Sequence, residues 1–374
     1  MKRICIATST RADWGILSPL ASLLRDTPGI VLQILATNMH LLDSYGHTVD
    51  EIEEAGFQVD ARVEMHDSDG EGAVGRAVAM SECLSGSALA FNKLCPDAVI
   101  ILGDRYEMLA VASAACLMRI PIIHISGGET TGGAIDDAIR HAISQLASLH
   151  LVSAEPYRQK VISLGKSADT VINTGSLGVW NMVSRVPMDR SGLCHDLGID
   201  PDRPFVVATF HPATLDSESP AKRCRAMLDA LDRFPGLQVI LTYPNNDPGS
   251  EDIIAEVTRW TAENSHRAVL VKSLGLKRYS AAIREAEFVI GNSSSGIIEV
   301  PAVGTPVINI GIRQRGRLHG EGVIDCADDT ASIASAIRKA LSPEFKEIAS
   351  KADNPYCQPD TLQKSLKAIL GFLS

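Results

Sequence analysis

The densest group of side chains able to do chemistry lies in residues 124–141. His124-Ile125-Ser126-Gly127-Gly128-Glu129 follows a candidate buried strand, and Asp136-Asp137-Ala138-Ile139-Arg140-His141 comes soon after. Carboxylates and imidazoles placed at a strand end are suited to moving protons. The glycine pair lets the chain turn sharply beside Glu129. Asp136 and Arg140 are one helical turn apart, so they could face one pocket or merely pair with each other.

A second group of residues is suited to binding an anion. Gly291-Asn292-Ser293-Ser294-Ser295-Gly296 joins a short strand to a helix through a turn whose N–H and O–H donors fit a phosphate. Glu299 is predicted about one turn into that helix, where it binds a ribose diol or simply favours the helix N-terminus. An anionic substrate also needs positive charge, and a basic cluster follows shortly afterwards in the sequence, at Arg313, Arg315, Arg317 and His319. The C-terminal half therefore predicts a nucleotide diphosphate site.

Three further places follow predicted strands but also admit a plain structural explanation. The stretch 8–13 suits an anion or an ordinary helix N-cap, and it lacks the glycine fingerprint of a dinucleotide site. Asp104 and Arg105 follow a buried strand, where an Asp is often an N-cap. His211 is either a capping or core histidine or a group that faces a ligand. All of these places stand at carboxyl ends of predicted parallel strands, where α/β proteins bind ligands.

Apolar runs alternate with segments of helical period along the chain, which predicts parallel sheets covered by helices on both faces. Strands are predicted at 3–8, 30–36, 97–102, 120–125 and 149–153, and then at 204–210, 237–242, 268–271, 288–290 and 307–310. Helices are predicted at 16–25, 107–118, 138–148, 220–233, 252–264, 278–285 and 332–341. We predict an α/β protein of two Rossmann-like halves, joined by a polar linker at 184–203, with a ligand cleft between them. The acidic stretch 64–75 is predicted to be a surface loop or a mobile flap over that cleft.

Composition and charge narrow the classes of protein. A chain of 374 residues predicts two or three domains. The formal net charge of −10 argues against a general nucleic-acid binder, which usually needs a basic face. The eight cysteines form no CxxC pair, which favours free thiols in a reducing compartment over disulfides or a zinc site. No signal-peptide core or membrane-length apolar run is found, so we predict a cytoplasmic protein without a membrane partner.

The ordered set of motifs resembles the UDP-N-acetylglucosamine 2-epimerase family, and its hydrolysing branch in particular. The motifs span nearly the whole chain: Thr10-Arg11-Ala12-Asp13, Met39-His40, Tyr45-Gly46, Gly103-Asp104-Arg105, Gly127-Gly128-Glu129, Asp136-Asp137-Ala138-Ile139-Arg140-His141, Phe210-His211-Pro212, Tyr243-Pro244-Asn245-Asn246-Asp247, Gly291-Asn292-Ser293-Ser294 and Gln314-Arg315-Gly316. The resemblance implies a GT-B fold, with a sugar and catalytic domain at 1–183, a nucleotide domain at 184–358, and a helix at 359–374 that crosses back. It also implies no metal or redox cofactor, and commonly a homodimer or homotetramer.

The resemblance also implies a reaction and a role for each matching residue. UDP leaves a UDP-linked 2-acetamido sugar through a 2-acetamidoglucal, and water then yields the free sugar inverted at C2. The catalytic group implied by the family comprises Asp104, Glu129, Asp136 and His211. Substrate contacts are implied for Arg11, His40, Arg105, Ser126, Arg140, Asn245, Ser293, Ser294, Glu299 and Arg313. Within that set, Ser293, Ser294 and Arg313 are implied to bind the phosphates, and Glu299 is implied to bind the ribose. His40 is implied to line the sugar site.

Two positions depart from the family pattern. Ser126 stands where some members carry an acid/base Glu, so Glu129 is the expected replacement, and Ile16 stands where some members have a Lys. Ser126 leaves the sugar open between N-acetylglucosamine, on the sialic acid route, and a 2,4-diacetamido-2,4,6-trideoxyhexose, on the legionaminic acid route. The choice between UDP and GDP is also open. The alternatives from other classes are a GT-B glycosyltransferase, which needs an acceptor site, and a non-catalytic nucleotide-sugar sensor, against which the retained carboxylates weigh.

Overall fold

The computed structural model describes residues 1–66, 72–131, 135–213, 219–244 and 249–374. Two compact units make up the chain. The first contains Met1–Glu129, Asp136–Asn181 and Tyr356–Ser374, and the second contains Thr130–Ile135 and Met182–Pro355. The chain therefore leaves the first unit briefly between Glu129 and Asp136, an excursion that the sequence pattern does not predict.

A seven-stranded parallel sheet forms the centre of the first unit. Its strands are β1 (Lys2–Thr8), β2 (Ile30–Thr37), β3 (Ala61–Val63), β4 (Ala98–Leu102), β5 (Ile122–Ile125), β6 (Leu149–Val152) and β7 (Val171–Asn173), in the order β3-β2-β1-β4-β5-β6-β7. Alternate residues of β4 enter two different core clusters, Ile100 on one face and Val99 and Ile101 on the other. A strand buried on both faces must be apolar throughout, which is why the apolar run of β4 predicts its position so closely.

The second unit has a six-stranded parallel sheet of its own. Its strands are β8 (Phe205–Thr209), β9 (Gln238–Thr242), β10 (Ala268–Val271), β11 (Val289–Gly291), β12 (Val307–Ile310) and β13 (Val323–Cys326), in the order β10-β9-β8-β11-β12-β13. Gly291 ends β11 with φ +140°, and a Cβ there would lie 1.8 Å from the carbonyl oxygen of Thr209. Only glycine lets these two neighbouring strand ends approach so closely.

Helices alternate with the strands in both units. They are α1 (Arg11–Arg25), α2 (Val49–Glu54), α3 (Gly72–Leu94), α4 (Tyr106–Leu117), α5 (Asp136–Leu146), α6 (Glu155–Ser163), α7 (Leu177–Ser184), α8 (Arg190–Leu197), α9 (Pro220–Leu231), α10 (Ser250–Glu263), α11 (Gly275–Glu285), α12 (Ser294–Ile298), α13 (Thr330–Leu341), α14 (Pro343–Lys351) and α15 (Thr361–Leu373). Ile369 and Leu373 of α15 join the same core cluster as Trp14 and Leu17 of α1, which places the last helix in the first unit. Across the described ranges, no helix has the length and apolarity needed to cross a membrane.

The segment 184–203 is not an unstructured linker. It contains α8, which begins after Asp189, whose side chain accepts a hydrogen bond from the Gly192 N–H at 2.8 Å. Leu193 and Cys194 are buried, and the helix ends at Gly198 in the left-handed conformation. Because only a few side chains of so short a helix face the core, its composition is polar and resembles that of a linker.

The stretch 64–75 also differs in part from the prediction. β3 ends at 63 and α3 begins at Gly72, while 67–71 lie outside the described residues. The long helix α3 has no predicted counterpart because Gly, Ala and Ser dilute its apolar period. Small buried residues such as Gly75 and Ala79 line its inner face, which packs extensively on α4.

Candidate active site

Two turns that carry carboxylates meet one arginine at the carboxyl edge of the first unit's sheet. Gly103 and Asp104 follow β4, and the Gly103 N–H donates to the Ile125 carbonyl at 3.1 Å. Arg140 of α5 donates from Nη2 to Asp104 Oδ2, and from Nη1 to the Glu129 carbonyl at 2.9 Å. Arg140 is only 3% exposed. A charge-assisted pair shielded from water in this way holds its geometry firmly.

Glu129 itself is buried, with 4% of its surface exposed. The hydroxyl of Ser153, directly after β6, donates to Glu129 Oε1 at 2.7 Å. The preceding Gly128 has φ +80°, and a Cβ there would lie 2.6 Å from the Tyr157 carbonyl oxygen. The glycine pair therefore makes the sharp turn that the sequence predicts. Ser153 belongs to no motif, and no sequence signal identifies it.

Asp136 begins α5 and is half-buried. One turn further along the same helix, Arg140 forms an ion pair with Asp104. Asp137 lies 3.5 Å from His141 on the same helix. Ser126 is half-buried and has φ +63°, a left-handed conformation that is uncommon for a residue other than glycine.

Two carboxylates beside the first turn, Asp13 and Glu107, are given no role by the sequence. Arg105 Nε donates to Glu107 Oε1 at 2.6 Å, and the Glu107 side chain is fully buried. Burial by itself would raise the pKa of Glu107, but the Arg105 charge and hydrogen bonds hold it below its usual value. Asp13 accepts from the Ser9 hydroxyl at 2.8 Å, and burial raises its pKa despite Arg105. Asp13 lies in the motif Thr10-Arg11-Ala12-Asp13 after β1, and Glu107 lies two residues beyond the motif Gly103-Asp104-Arg105 after β4.

His40 and Arg11 are placed near the ends of β1 and β2. Both ring nitrogens of His40 meet threonine hydroxyls, Nε2 with Thr8 at 3.0 Å and Nδ1 with Thr48 at 2.9 Å. Burial lowers the pKa of His40 to about 4, so the ring is neutral. The two threonine hydroxyls hold the neutral ring in place at the end of β2. Arg11 is partly exposed and pairs with Glu51 at 3.2 Å.

Asn292 joins three strand ends of the second unit. Its side chain accepts from the His211 N–H at 2.7 Å and donates to the His211 carbonyl at 2.8 Å. Its own carbonyl accepts from Arg313 Nη1 at 3.1 Å and from Gln314 Nε2 at 2.9 Å. His211 is buried, and burial together with the Arg313 charge lowers its pKa well below the usual value. The predicted residues His211 and Arg313 are thus brought together through Asn292.

The serine turn joins β11 to the short helix α12, in the place that the sequence predicts. Ser293 precedes α12, and Ser294 is its first residue. Since α12 has five residues, Glu299 lies at its C-terminal end, about one turn from Ser294 as the sequence predicts. Glu299 is buried. The neighbouring Ser295 hydroxyl is hydrogen-bonded to the Tyr279 hydroxyl at 2.7 Å.

The predicted basic cluster is not an open array of cations. Arg317 is buried, and it donates to the Thr130 carbonyl at 3.2 Å and to the Thr131 hydroxyl at 2.8 Å. His319 lies 3.1 Å from Asp325, and Arg315 is exposed. Of the predicted arginines, Arg313 therefore remains next to the serine turn, while Asn245 lies outside the described residues.

An open cavity lies at the carboxyl ends of β8, β11 and β12 within the second unit. Phe210, Asn292 and Arg313 line it from the strand ends. An ion pair between Arg223 and Asp328 forms another part of its wall. The cavity occupies the edge of a parallel sheet where ligands of α/β proteins bind.

Comparison with known proteins agrees with this architecture. The family model for UDP-N-acetylglucosamine 2-epimerase matches residues 22–370. A GDP/UDP-N,N'-diacetylbacillosamine 2-epimerase (hydrolyzing) of Campylobacter jejuni is 38% identical over 92% of this chain and 89% of the relative. A polysialic acid biosynthesis protein of Escherichia coli is 36% identical over 100% of this chain and 95% of the relative.

A solved structure shows the same fold. The UDP-GlcNAc 2-epimerase of Neisseria meningitidis bound to UDP-GlcNAc superposes with a TM-score of 0.83 at 18% identity, covering 99% of this chain and 100% of the other. Together these matches confirm the predictions of a GT-B fold and of an epimerase of the hydrolysing type. The chain belongs to the UDP-N-acetylglucosamine 2-epimerase family.

Proposed function

We propose that this protein hydrolyses a UDP-linked 2-acetamido sugar and inverts the sugar at C2, releasing UDP and a free manno-configured sugar. The observation that carries this proposal is the contact of one buried arginine, Arg140, with both the Asp104 carboxylate and the Glu129 turn. Such an arrangement holds two carboxylates at one edge of the sheet, as a reaction with two proton transfers requires. The names of the relatives from Campylobacter jejuni and Escherichia coli support it.

The reaction divides into two steps. In the first, a carboxylate takes the C2 proton while the C1–O bond breaks, UDP leaves with the electron pair, and a C1=C2 double bond forms. In the second, the oxygen of water adds to C1 and a proton is delivered to C2 on the opposite face. We assign the proton transfers to Asp104, Glu129 and Asp136. Arg105 and Arg140 stabilise negative charge as it develops.

In this proposal, residues of the second unit bind the nucleotide. Ser293, Ser294 and Arg313 bind the diphosphate, and Glu299 binds the ribose. Support comes from the backbone of His211, which Asn292 ties to the turn that carries these serines. His211 is held neutral by burial, so its contribution is a hydrogen bond rather than a positive charge.

For the sugar we propose 2,4-diacetamido-2,4,6-trideoxyglucose, whose manno product serves nonulosonic acid synthesis of the legionaminic type. Ser126 replaces the longer carboxylate of some family members, which releases room and removes a charge. The name of the relative from Campylobacter jejuni supports this choice. The name of the relative from Escherichia coli favours the sialic acid route, with N-acetylglucosamine as the sugar.

The deciding experiment compares the two nucleotide sugars side by side without any acceptor, in D₂O, with detection by NMR. We expect free sugar and UDP from both, deuterium at C2, and a higher kcat/KM for the diacetamido substrate. A preference of about tenfold or more for UDP-N-acetylglucosamine, equivalent to about 1.4 kcal/mol in the transition state, overturns the sugar assignment. Epimerised sugar still attached to UDP, or no turnover without an acceptor, overturns the hydrolysing reaction itself.

We also propose a cytoplasmic homodimer or homotetramer. All eight cysteines are free thiols, which supports a reducing compartment. Val74, Val78 and Leu89 of α3 are exposed apolar side chains, which supports self-association through this helix. Light scattering after size-exclusion chromatography measures the assembly, and a monomer at micromolar concentration contradicts it.

A further inference from the structure

His124 of β5 lies between the two turns that carry Asp104 and Glu129. The ring is fully buried. Its Nε2 lies 2.8 Å from the Gly103 carbonyl, and its Nδ1 lies 3.1 Å from the Ser144 hydroxyl. A carbonyl oxygen can only accept, so Nε2 carries the proton. Burial lowers the pKa of His124 to about 4, so the ring is neutral and Nδ1 accepts from Ser144.

The first turn is held directly by this hydrogen bond. Gly103 has φ +78°, and the carbonyl that accepts from His124 belongs to the peptide group shared with Asp104. A displacement of His124 therefore moves the backbone of Asp104 itself. Arg140 restrains the other end of the residue, at its carboxylate.

The second turn packs against the same ring. A Cβ on Gly127 would lie 2.9 Å from His124 Nδ1 and 2.9 Å from Ser144 Oγ. Such a distance is too short for any residue but glycine, so the backbone two residues before Glu129 rests on the His124–Ser144 pair. One rigid, buried ring thus separates the two turns.

We infer that His124 is a positioning residue that sets the spacing between the Asp104 and Glu129 carboxylates through Gly103 and Gly127. The inference rests on the proposed function, in which both carboxylates transfer protons. His124 is buried and acts through the two turns rather than on the substrate. Because a misplacement of about 1 Å can cost about 100-fold in rate, the ring governs kcat.

Two conservative variants separate the two hydrogen bonds of the ring. Gln Nε2 is as many bonds from Cα as His Nε2, so His124→Gln keeps a donor for Gly103 and loses the acceptor for Ser144. Asn Oδ1 corresponds in the same way to His Nδ1, so His124→Asn keeps the acceptor and loses the donor. The two variants are matched controls for each other.

The kinetic test measures kcat, KM and the UDP dissociation constant of both variants. We expect His124→Gln to keep kcat within about threefold of wild type, and His124→Asn to lose about 10- to 100-fold with UDP affinity unchanged. Wild-type kcat in His124→Asn, or equal losses in two folded variants, overturns the inference. Should His124→Asn not fold, His124→Gln decides: kcat within about threefold of wild type supports the inference, and a loss of about 10-fold or more in this folded variant, which keeps the donor to Gly103, overturns it.

Hydrogen exchange provides a readout that does not depend on turnover. We expect the peptide over 103–108 to exchange faster in His124→Asn than in His124→Gln, since only the former loses the bond to Gly103. Equal exchange in the two variants overturns the positioning role. If the wild-type protein hydrolyses no UDP-sugar, the proposed function fails, while the exchange comparison still decides the role of His124 in the fold.

Discussion

Replacing Asp104 by Asn tests the central contact of the candidate site. The change keeps the size of the side chain and an oxygen that accepts from Arg140, but removes the negative charge opposite a buried guanidinium. We expect turnover to fall by about 10²- to 10⁴-fold, the usual contribution of a general acid or base. The fold itself should persist.

The same substitution has a cost in stability that follows from burial. Removing one partner of a fully buried ion pair costs about 3–5 kcal/mol. The Asp104 side chain is 21% exposed and Asn still accepts a hydrogen bond, so we expect about 1–3 kcal/mol here. For a unit of this size that corresponds to a fall in Tm of about 2–10 °C.

The assay combines thermal unfolding, UDP titration and a stopped assay for free sugar. Asp137→Asn is the matched control, since Asp137 is a more exposed carboxylate, 31% exposed, in the first turn of α5 and lies 3.5 Å from His141. We expect the control to lose less than about 1 kcal/mol and to keep its turnover. A folded Asp104→Asn protein with wild-type turnover refutes the acid/base assignment. A Tm equal to that of wild type refutes the argument about the buried pair.

Three further predictions concern other parts of the molecule. Ser294→Ala and Glu299→Ala should raise the UDP dissociation constant and KM more than they change kcat. Ser295→Ala is the control and should leave UDP affinity unchanged, because the Ser295 hydroxyl is hydrogen-bonded to Tyr279. Calorimetric titration with UDP measures the affinities. The unfolded state binds a proton at His40 below a pH of about 6.5 and the folded state only below about 4. Stability should therefore fall as the pH drops through that window, and His40 should contribute about 2 kcal/mol of the fall at pH 5, beside the contributions of the other buried histidines. Urea unfolding at pH 7 and pH 5 measures this fall in the free energy of unfolding. If His40→Gln loses as much stability between the two pH values as the wild type does, the assignment to His40 is wrong. Gly291→Ala places a Cβ 1.8 Å from a backbone oxygen of β8, so the second unit should lose more than about 4 kcal/mol; a cooperative transition at the wild-type urea midpoint contradicts this.

Of the thirteen strands in the described residues, the sequence alone predicted ten and missed the sheet-edge strands β3, β7 and β13. β4 was predicted at 97–102 and runs over Ala98–Leu102, because a strand covered on both faces must be apolar whatever its neighbours are. The glycine pair before Glu129 predicted a sharp turn, because positive φ is nearly reserved for glycine. These are local rules, so a single sequence carries them. These rules did not predict helix α3, because its many small residues give no clear helical period of apolar side chains.

Only the tertiary structure decided which of these residues meet. The helical spacing placed Arg140 one turn from Asp136, but only the fold brings it to Asp104, 36 residues earlier. His211 and Asn292 are joined across 81 residues. The order of strands in each parallel sheet is not their order in the chain, and it determines which strand ends become neighbours. Such contacts depend on distances between turns that are remote in sequence, and those distances exist only once the sheets have assembled.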